Sequence, residues 1–236
     1  MSAFARAPSG RERWRAGMSV PRHRHAQPYA ALVLSGGYEE CGSLGRFRVG
    51  PGDVLLHGAF DGHLDRFGCR GTEILNLALP ATPAITFGLA HAGDADEIAR
   101  IARKDVHEAS VRLCGCMTMR AAAPSDWPDR LAMDLIEDPN CRLDSWSAAH
   151  GLAAETISRG FGRVFGLSPA AFRAEARARQ AFTQILDGCL PLAAIAAGTG
   201  FADQAHMSRA IKRLTGSSPN AWRGSNRFKT ASPIAA

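Results

Sequence analysis

One stretch of this chain occurs twice, and that repeat limits what the chain can fold into more than any other feature. Shifted by 50 positions, Ile157-Ser158-Arg159 falls on Met207-Ser208-Arg209 and Phe161 on Ile211. Arg163 falls on Arg213, Gly166 on Gly216, Ser168-Pro169 on Ser218-Pro219, and Phe172-Arg173 on Trp222-Arg223. The second copy is the easier to read. Ala193 to Ala197 is a short apolar run, broken by Gly198-Thr199-Gly200, and glycine takes a left-handed turn at no steric cost. Asp203 stands where an N-cap belongs, and a helix follows. On that helix Met207, Ile211 and Leu214 fall at the spacing of a core face, with Gln204, Ala205, Ser208, Arg209 and Lys212 on the opposite face. Gly216 ends it. Ser218-Pro219 opens the next helix, Ser as cap and Pro at the first helical position. A short helix, a glycine turn and a second helix with a polar, basic outer face make a helix-turn-helix, able to lay that face in a DNA major groove.

Repetition of a whole supersecondary unit is much stronger than a single match. In the first copy Gly151-Leu152 takes the part of Gly200-Phe201, with one residue fewer in the turn. Between the copies, Pro169 to Asp187 has no breaker and reads as one helix, about 28 Å long at ~1.5 Å per residue. That approaches the rise of one DNA turn, ~34 Å, so two recognition helices are expected in successive major grooves.

Two helix-turn-helices joined by a long helix, with GF-DQ-H-SR--KR-TG-SP--WR in the second, resemble the AraC/XylS family of bacterial transcription regulators. The resemblance covers about residues 128–223. It implies DNA contact from Glu155, Ser158, Arg159 and Arg163 in the first recognition helix. In the second it implies contact from Gln204, Ala205, His206, Ser208, Arg209 and Lys212. The first copy departs from the pattern: Gly160 and Gly162 lie inside its helix, at about 1 kcal/mol each relative to Ala. Glu155 also brings a carboxylate toward the groove, favourable only against a donor such as a cytosine amino group.

Charge agrees with this reading. From Arg142 onward there are 12 Lys and Arg against 5 Asp and Glu; before it, 16 against 17. The excess positive charge sits in the repeat, where phosphate neutralisation would use it. No apolar run approaches the ~18 residues of a membrane span. The first 17 residues carry Arg but no apolar signal core, and are expected as a mobile basic arm. The six cysteines have no CxxC spacing, so reduced thiols in a cytoplasmic protein are expected. Cys114 and Cys116, in the apolar run LCGCM, are expected to be buried.

The N-terminal half changes character. Tyr29–Leu34, Phe47–Val49, Val54–Leu56, His63–Phe67 and Ile74–Leu79 read as short strands punctuated by glycine, the pattern of a small sandwich or barrel. His23-x-His25, then Gly50-Pro51-Gly52-Asp53-Val54, then His63 resemble the cupin-like sensor domain found ahead of this DNA-binding unit in many family members. The resemblance implies an effector pocket lined from His23, His25, Tyr38, His57 and His63, with no cofactor and no metal. A three-histidine metal site at His23, His25 and His63 is the weaker alternative, because the Glu that cupin enzymes carry just after HxH is missing: Gln27, Pro28, Tyr29 and Ala30 stand there. Asp94 to Leu113 reads as a helix, serving dimerisation or packing on its own barrel.

The expected fold class is therefore α+β: a cupin-like β-barrel or sandwich with trailing helices, then an all-α domain of two helix-turn-helices joined by a long helix. Expected boundaries are an arm at 1–17, an effector and dimerisation domain at 18–120, a linker at 121–127, a DNA-binding domain at 128–228 and a tail at 229–236. The expected function is a sequence-specific transcription regulator, not an enzyme. Its expected partners are promoter DNA, a small-molecule effector, a second copy of the chain and, for an activator, RNA polymerase. The alternative is a cupin-type metalloenzyme fused to a DNA-binding module.

Overall fold

The computed structural model describes residues 8–79, 87–122 and 124–230, with side chains through residue 224. These residues form two compact units. One runs through Arg130 and includes Gly162–Gly166; the other comprises Leu131–Phe161 and Leu167 onward.

The first unit holds ten strands and two helices: β1 (Gly10–Trp14), β2 (Ser19–Arg24), β3 (Tyr29–Ser35), β4 (Tyr38–Gly42), β5 (Gly45–Val49), β6 (Asp53–His57), β7 (Gly62–Phe67), β8 (Thr72–Ala78), β9 (Gly88–His91), α1 (Ala95–Ala102), α2 (Val106–Cys116) and β10 (Thr118–Met119). They make two antiparallel sheets, of order β1-β8-β3-β6-β9-β10 and β2-β7-β4-β5. Side chains alternate between faces along a strand, and here the alternation separates two cores. Tyr29, Ala31, Val33, Leu55 and Ile74 of the larger sheet pack with Tyr38, Phe47, Val49 and Phe67 of the smaller. The intervening residues Ala30, Leu32, Val54, Leu56, Leu75 and Leu77 face the other way, onto Ile98 and Ala99 of α1 and Ala109 and Leu113 of α2. The unit thus has three layers, sheet on sheet on helices. The expected strands all form, and the fold class is the α+β one.

Four expectations need correction. The basic arm is not wholly an arm: Gly10–Trp14 pairs with β8, Gly10 opposite Asn76 and Trp14 opposite Thr72. Within RERW the alternate residues Glu12 and Trp14 turn inward, and the Trp14 ring stacks on Phe67 at 4.8 Å. Residues 1–7 of that arm lie outside the described residues. The helix read over 94–113 is two helices, because Asp105 caps a second one, its carboxylate accepting from the N–H groups of His107 and Glu108. Both pack on the larger sheet, as one of the two readings had it. Cys114 and Cys116, in the last turn of α2, are only half-buried. Finally, α9 (Pro219–Thr230) extends to the first two residues of the supposed tail, of which 231–236 lie outside the described residues.

The second unit is helical. Its elements are α3 (Trp127–Glu137, entering from the first unit), α4 (Leu143–Ala149), α5 (Ala154–Phe165), α6 (Pro169–Asp187), α7 (Leu192–Gly198), α8 (Gln204–Thr215) and α9. The core runs through Ile157, Phe161, Phe172, Phe182, Ile185, Ile195, Met207, Ile211 and Leu214, all buried. α6 has the bounds read from the sequence. Ser168 caps it by accepting from the Ala171 N–H, and Gly188 ends it in the left-handed conformation.

Candidate nucleic-acid interface and effector pocket

The repeat is a structural repeat. α4, a turn at Gly151 (φ +63°) and α5 correspond to α7, a turn at Gly200 (φ +74°) and α8. Both second helices end in a left-handed glycine, Gly166 and Gly216. In both, the apolar stripe points inward: Ile157 and Phe161 on α5, Met207, Ile211 and Leu214 on α8. α8 starts cleanly because the Asp203 carboxylate accepts from the His206 N–H at 2.6 Å. Ala153 stands at the equivalent position before α5 and has no side chain to cap with.

The outer faces carry the residues expected to meet DNA. On α8, Gln204, Ala205, Arg209 and Lys212 are exposed, and positions 204, 205, 208, 209 and 212 share one side of a 3.6-residue helix. Ser208 is half-buried and its hydroxyl donates to the Gln204 carbonyl at 2.8 Å, so it reaches outward as an acceptor only. His206 is also half-buried, its ring against Phe201 with centroids 5.2 Å apart. On α5, Glu155, Ser158, Arg159 and Arg163 are exposed. Not every cation is available. Arg177 donates to the Pro139 carbonyl and to Asn140 Oδ1 at 3.0 and 3.1 Å, and Arg173 to the Cys141 carbonyl at 3.0 Å. These two arginines pin the α3–α4 connection.

In the first unit the strand register gathers a polar cluster between the sheets. His23 lies opposite His63, and Glu40 opposite Asp65. From the larger sheet, Tyr29 lies opposite His57. The rings of His23 and His63 meet at 4.3 Å, those of His57 and His63 at 4.7 Å, and Tyr29 stacks on His57 at 4.4 Å. The Tyr29 hydroxyl and His63 Nε2 are 3.4 Å apart. A cavity of about 280 Å³ opens here, lined in part by His23, His25, Tyr29, Tyr38, Glu40 and His63. The structure therefore brings all five sequence-derived pocket residues into one neighbourhood, with His57 behind Tyr29 rather than on the cavity wall.

Sequence reading missed Tyr29, Glu40 and Asp65. In the sequence Tyr29 reads as a strand residue only, and an acid in YEECG looks like a solvated strand face until its pairing with β7 is known. Burial governs the charge states. It pushes the His57 imidazole down to about 3, helped by His25 and His23, and lowers His63 and His23 as well. Burial likewise raises Glu40, with the neighbouring Asp65 charge adding to it, and lifts Asp65 to about 7. The interior is thus a set of neutral imidazoles beside a carboxyl pair that resists double ionisation.

The geometry of the second unit defines a class, a DNA-binding domain built of two helix-turn-helices. A family model described as "Helix-turn-helix domain" matches residues 146–225. That region is a helix-turn-helix domain, a kind of unit that binds DNA. Similar solved structures include ToxT from Vibrio cholerae strain SCE256 with an unsaturated fatty acid bound, at 9% identity over 91% of this chain and 93% of that one, TM-score 0.43. The C-terminal domain of AraT, a response regulator from Geobacillus stearothermophilus, is 24% identical over 42% of this chain and 84% of its own, TM-score 0.39. The DNA-binding domain of AdpA in complex with a target DNA is 22% identical over 46% of this chain and 100% of its own, TM-score 0.41. No curated protein matches the chain. Among the described residues, no helix is long and apolar enough to cross a membrane.

Proposed function

We propose that this regulator reads promoter DNA mainly through α8 and is switched by a small effector held between the two sheets of its first unit. The carrying observation is the outer face of α8, where Gln204, Arg209 and Lys212 stand exposed on a helix whose other face is fully packed. In this reading Arg209 and Gln204 read base edges, where Arg pairs with guanine and Gln with adenine, and Lys212 holds phosphate. α5 contributes Arg159 and Arg163 to phosphate, with Ser158 and Glu155 at the groove. The cavity beside His23, His25, Tyr38 and His63 takes the effector, with His57 behind it, and the protein does no catalysis. A second copy of the chain and RNA polymerase complete the assembly at the promoter of a bacterial, cytoplasmic activator. An effector switches the protein only by binding its two states unequally.

A genome-wide map of bound DNA in the host cell, with transcript changes in a deletion strain, tests this. Bound sites beside responsive genes are expected. Binding without any preferred sites would mean that the outer face of α8 grips DNA without reading it.

A further inference from the structure

We infer that the cluster of Glu40, His57 and His63 is a binding site for a divalent transition-metal ion, and that this ion is the effector of the first unit. The inference rests on the regulator reading and gives it a ligand class. One ligand atom from each of the three side chains lies within 4.8 Å of the other two, and all three residues are buried. His57 Nε2 and Glu40 Oε2 face each other at 3.5 Å with no hydrogen bond to His57 Nε2. Two ligands on a tetrahedral ion with bonds of ~2.1 Å stand about 3.4 Å apart, so the gap already has the right width. His63 adds a second unsatisfied buried atom, Nδ1. A buried polar atom left without a partner costs free energy, and an imidazole nitrogen in that condition facing a buried carboxylate, with a second imidazole beside them, asks for a common partner.

The donor set narrows that partner. Two imidazoles and one carboxylate, with an open fourth position, suit zinc and its neighbours; magnesium and calcium prefer oxygen. A second trio, His23, His25 and His63, shares His63 and lacks a carboxylate. The Glu40 set is preferred because its carboxylate offsets half the charge of the ion among buried groups. The acid absent from the positions after His25 is thus supplied by β4, remote in sequence and opposite β7 in the sheet.

The test uses tag-free full-length protein, stripped with chelator and titrated with Zn²⁺ or Co²⁺. One ion per chain is expected, with cobalt absorption bands of a four-coordinate nitrogen and oxygen site. Glu40→Gln, which keeps shape and removes charge, is expected to weaken zinc binding roughly a hundredfold or more, at or beyond the top of the range for losing an outer-shell partner. His57→Asn is expected to do the same. Wild-type affinity in both variants overturns the inference. So does a thiolate-to-cobalt charge-transfer band, or loss with His23→Ala/His25→Ala but not with Glu40→Gln. A variant that fails to fold leaves the wild-type stoichiometry and cobalt spectrum to decide. Selective DNA binding, measured on the same stripped protein, separates the two readings. If it persists without any metal site, this inference falls and the regulator stands; metal binding without selective DNA binding sinks the regulator.

Discussion

The two helix-turn-helices share a frame and differ in how firmly it is set. Each has a left-handed glycine in the turn, a left-handed glycine at the end of the second helix and a Ser-Pro start to the next. Yet α8 has a charged cap, Asp203, where α5 has Ala153, and α8 has Ala210 and Lys212 where α5 has Gly160 and Gly162. Each exchange favours helix in α8 by about 1 kcal/mol. The faces differ too: α8 presents Gln204, Arg209 and Lys212, whereas α5 opens with the carboxylate of Glu155. The difference teaches that a repeat preserves the positions that set the backbone and core while its readout positions diverge. It also supports the proposed division of roles. The stiffer helix suits base readout, which needs side chains placed to within hydrogen-bonding tolerance, and the softer one suits phosphate contact.

The shared frame can be broken first. Phe161 and Ile211 occupy equivalent buried positions, and Phe161 meets Phe172 edge to face at 5.3 Å. Phe161→Ala is expected to cost about 3–5 kcal/mol and Ile211→Ala about 2–5 kcal/mol, read from denaturant melts of the second unit. A cost under 1 kcal/mol at either site would show that the two cores are not equivalent.

The division of labour is sharper. Arg209→Ala is expected to lower discrimination between specific and random duplex by about 1–3 kcal/mol. Arg159→Ala is expected to weaken both duplexes alike, with a shallower salt dependence. Reversed results would exchange the roles of the two helices. Next comes the cap: Asp203→Ala is expected to cost ~1 kcal/mol, seen as faster amide exchange in the first turn of α8, while Ala153→Asp slows exchange in α5. Smallest is Gly160→Ala, expected to stabilise α5 by up to about 1 kcal/mol, since the equivalent Ala210 fits its own helix. Unchanged exchange in α5 would mean that glycine there answers to something other than helix propensity.

Legibility in the sequence followed the range of the forces involved. Helices of the second unit were readable almost residue by residue, because caps, glycine stops and the i, i+4 stripe act within one turn, and the repeat checks them twice. The strands Tyr29–Ser35 and Asp53–His57 were readable because both faces are buried and their apolar runs are unbroken. Gly10–Trp14 was not, because its alternation is carried by Arg and Glu around a single Trp. Glu40 was out of reach for a different reason. Asp65 meets it through sheet pairing and His57 through packing of one sheet on the other, and both are long-range properties. The split of residues 94–113 into α1 and α2 was legible in principle, since Asp105 is an N-cap residue followed by a helix-forming run.

The central claim is that α8 reads sequence. Selection of duplexes from a random pool by full-length wild-type protein and by Arg209→Ala, at one fixed salt concentration, tests it most directly. The account predicts an enriched motif for the wild type that loses definition at one or two adjacent base pairs in the variant. The same motif at full strength in both proteins, or none in either, would contradict it.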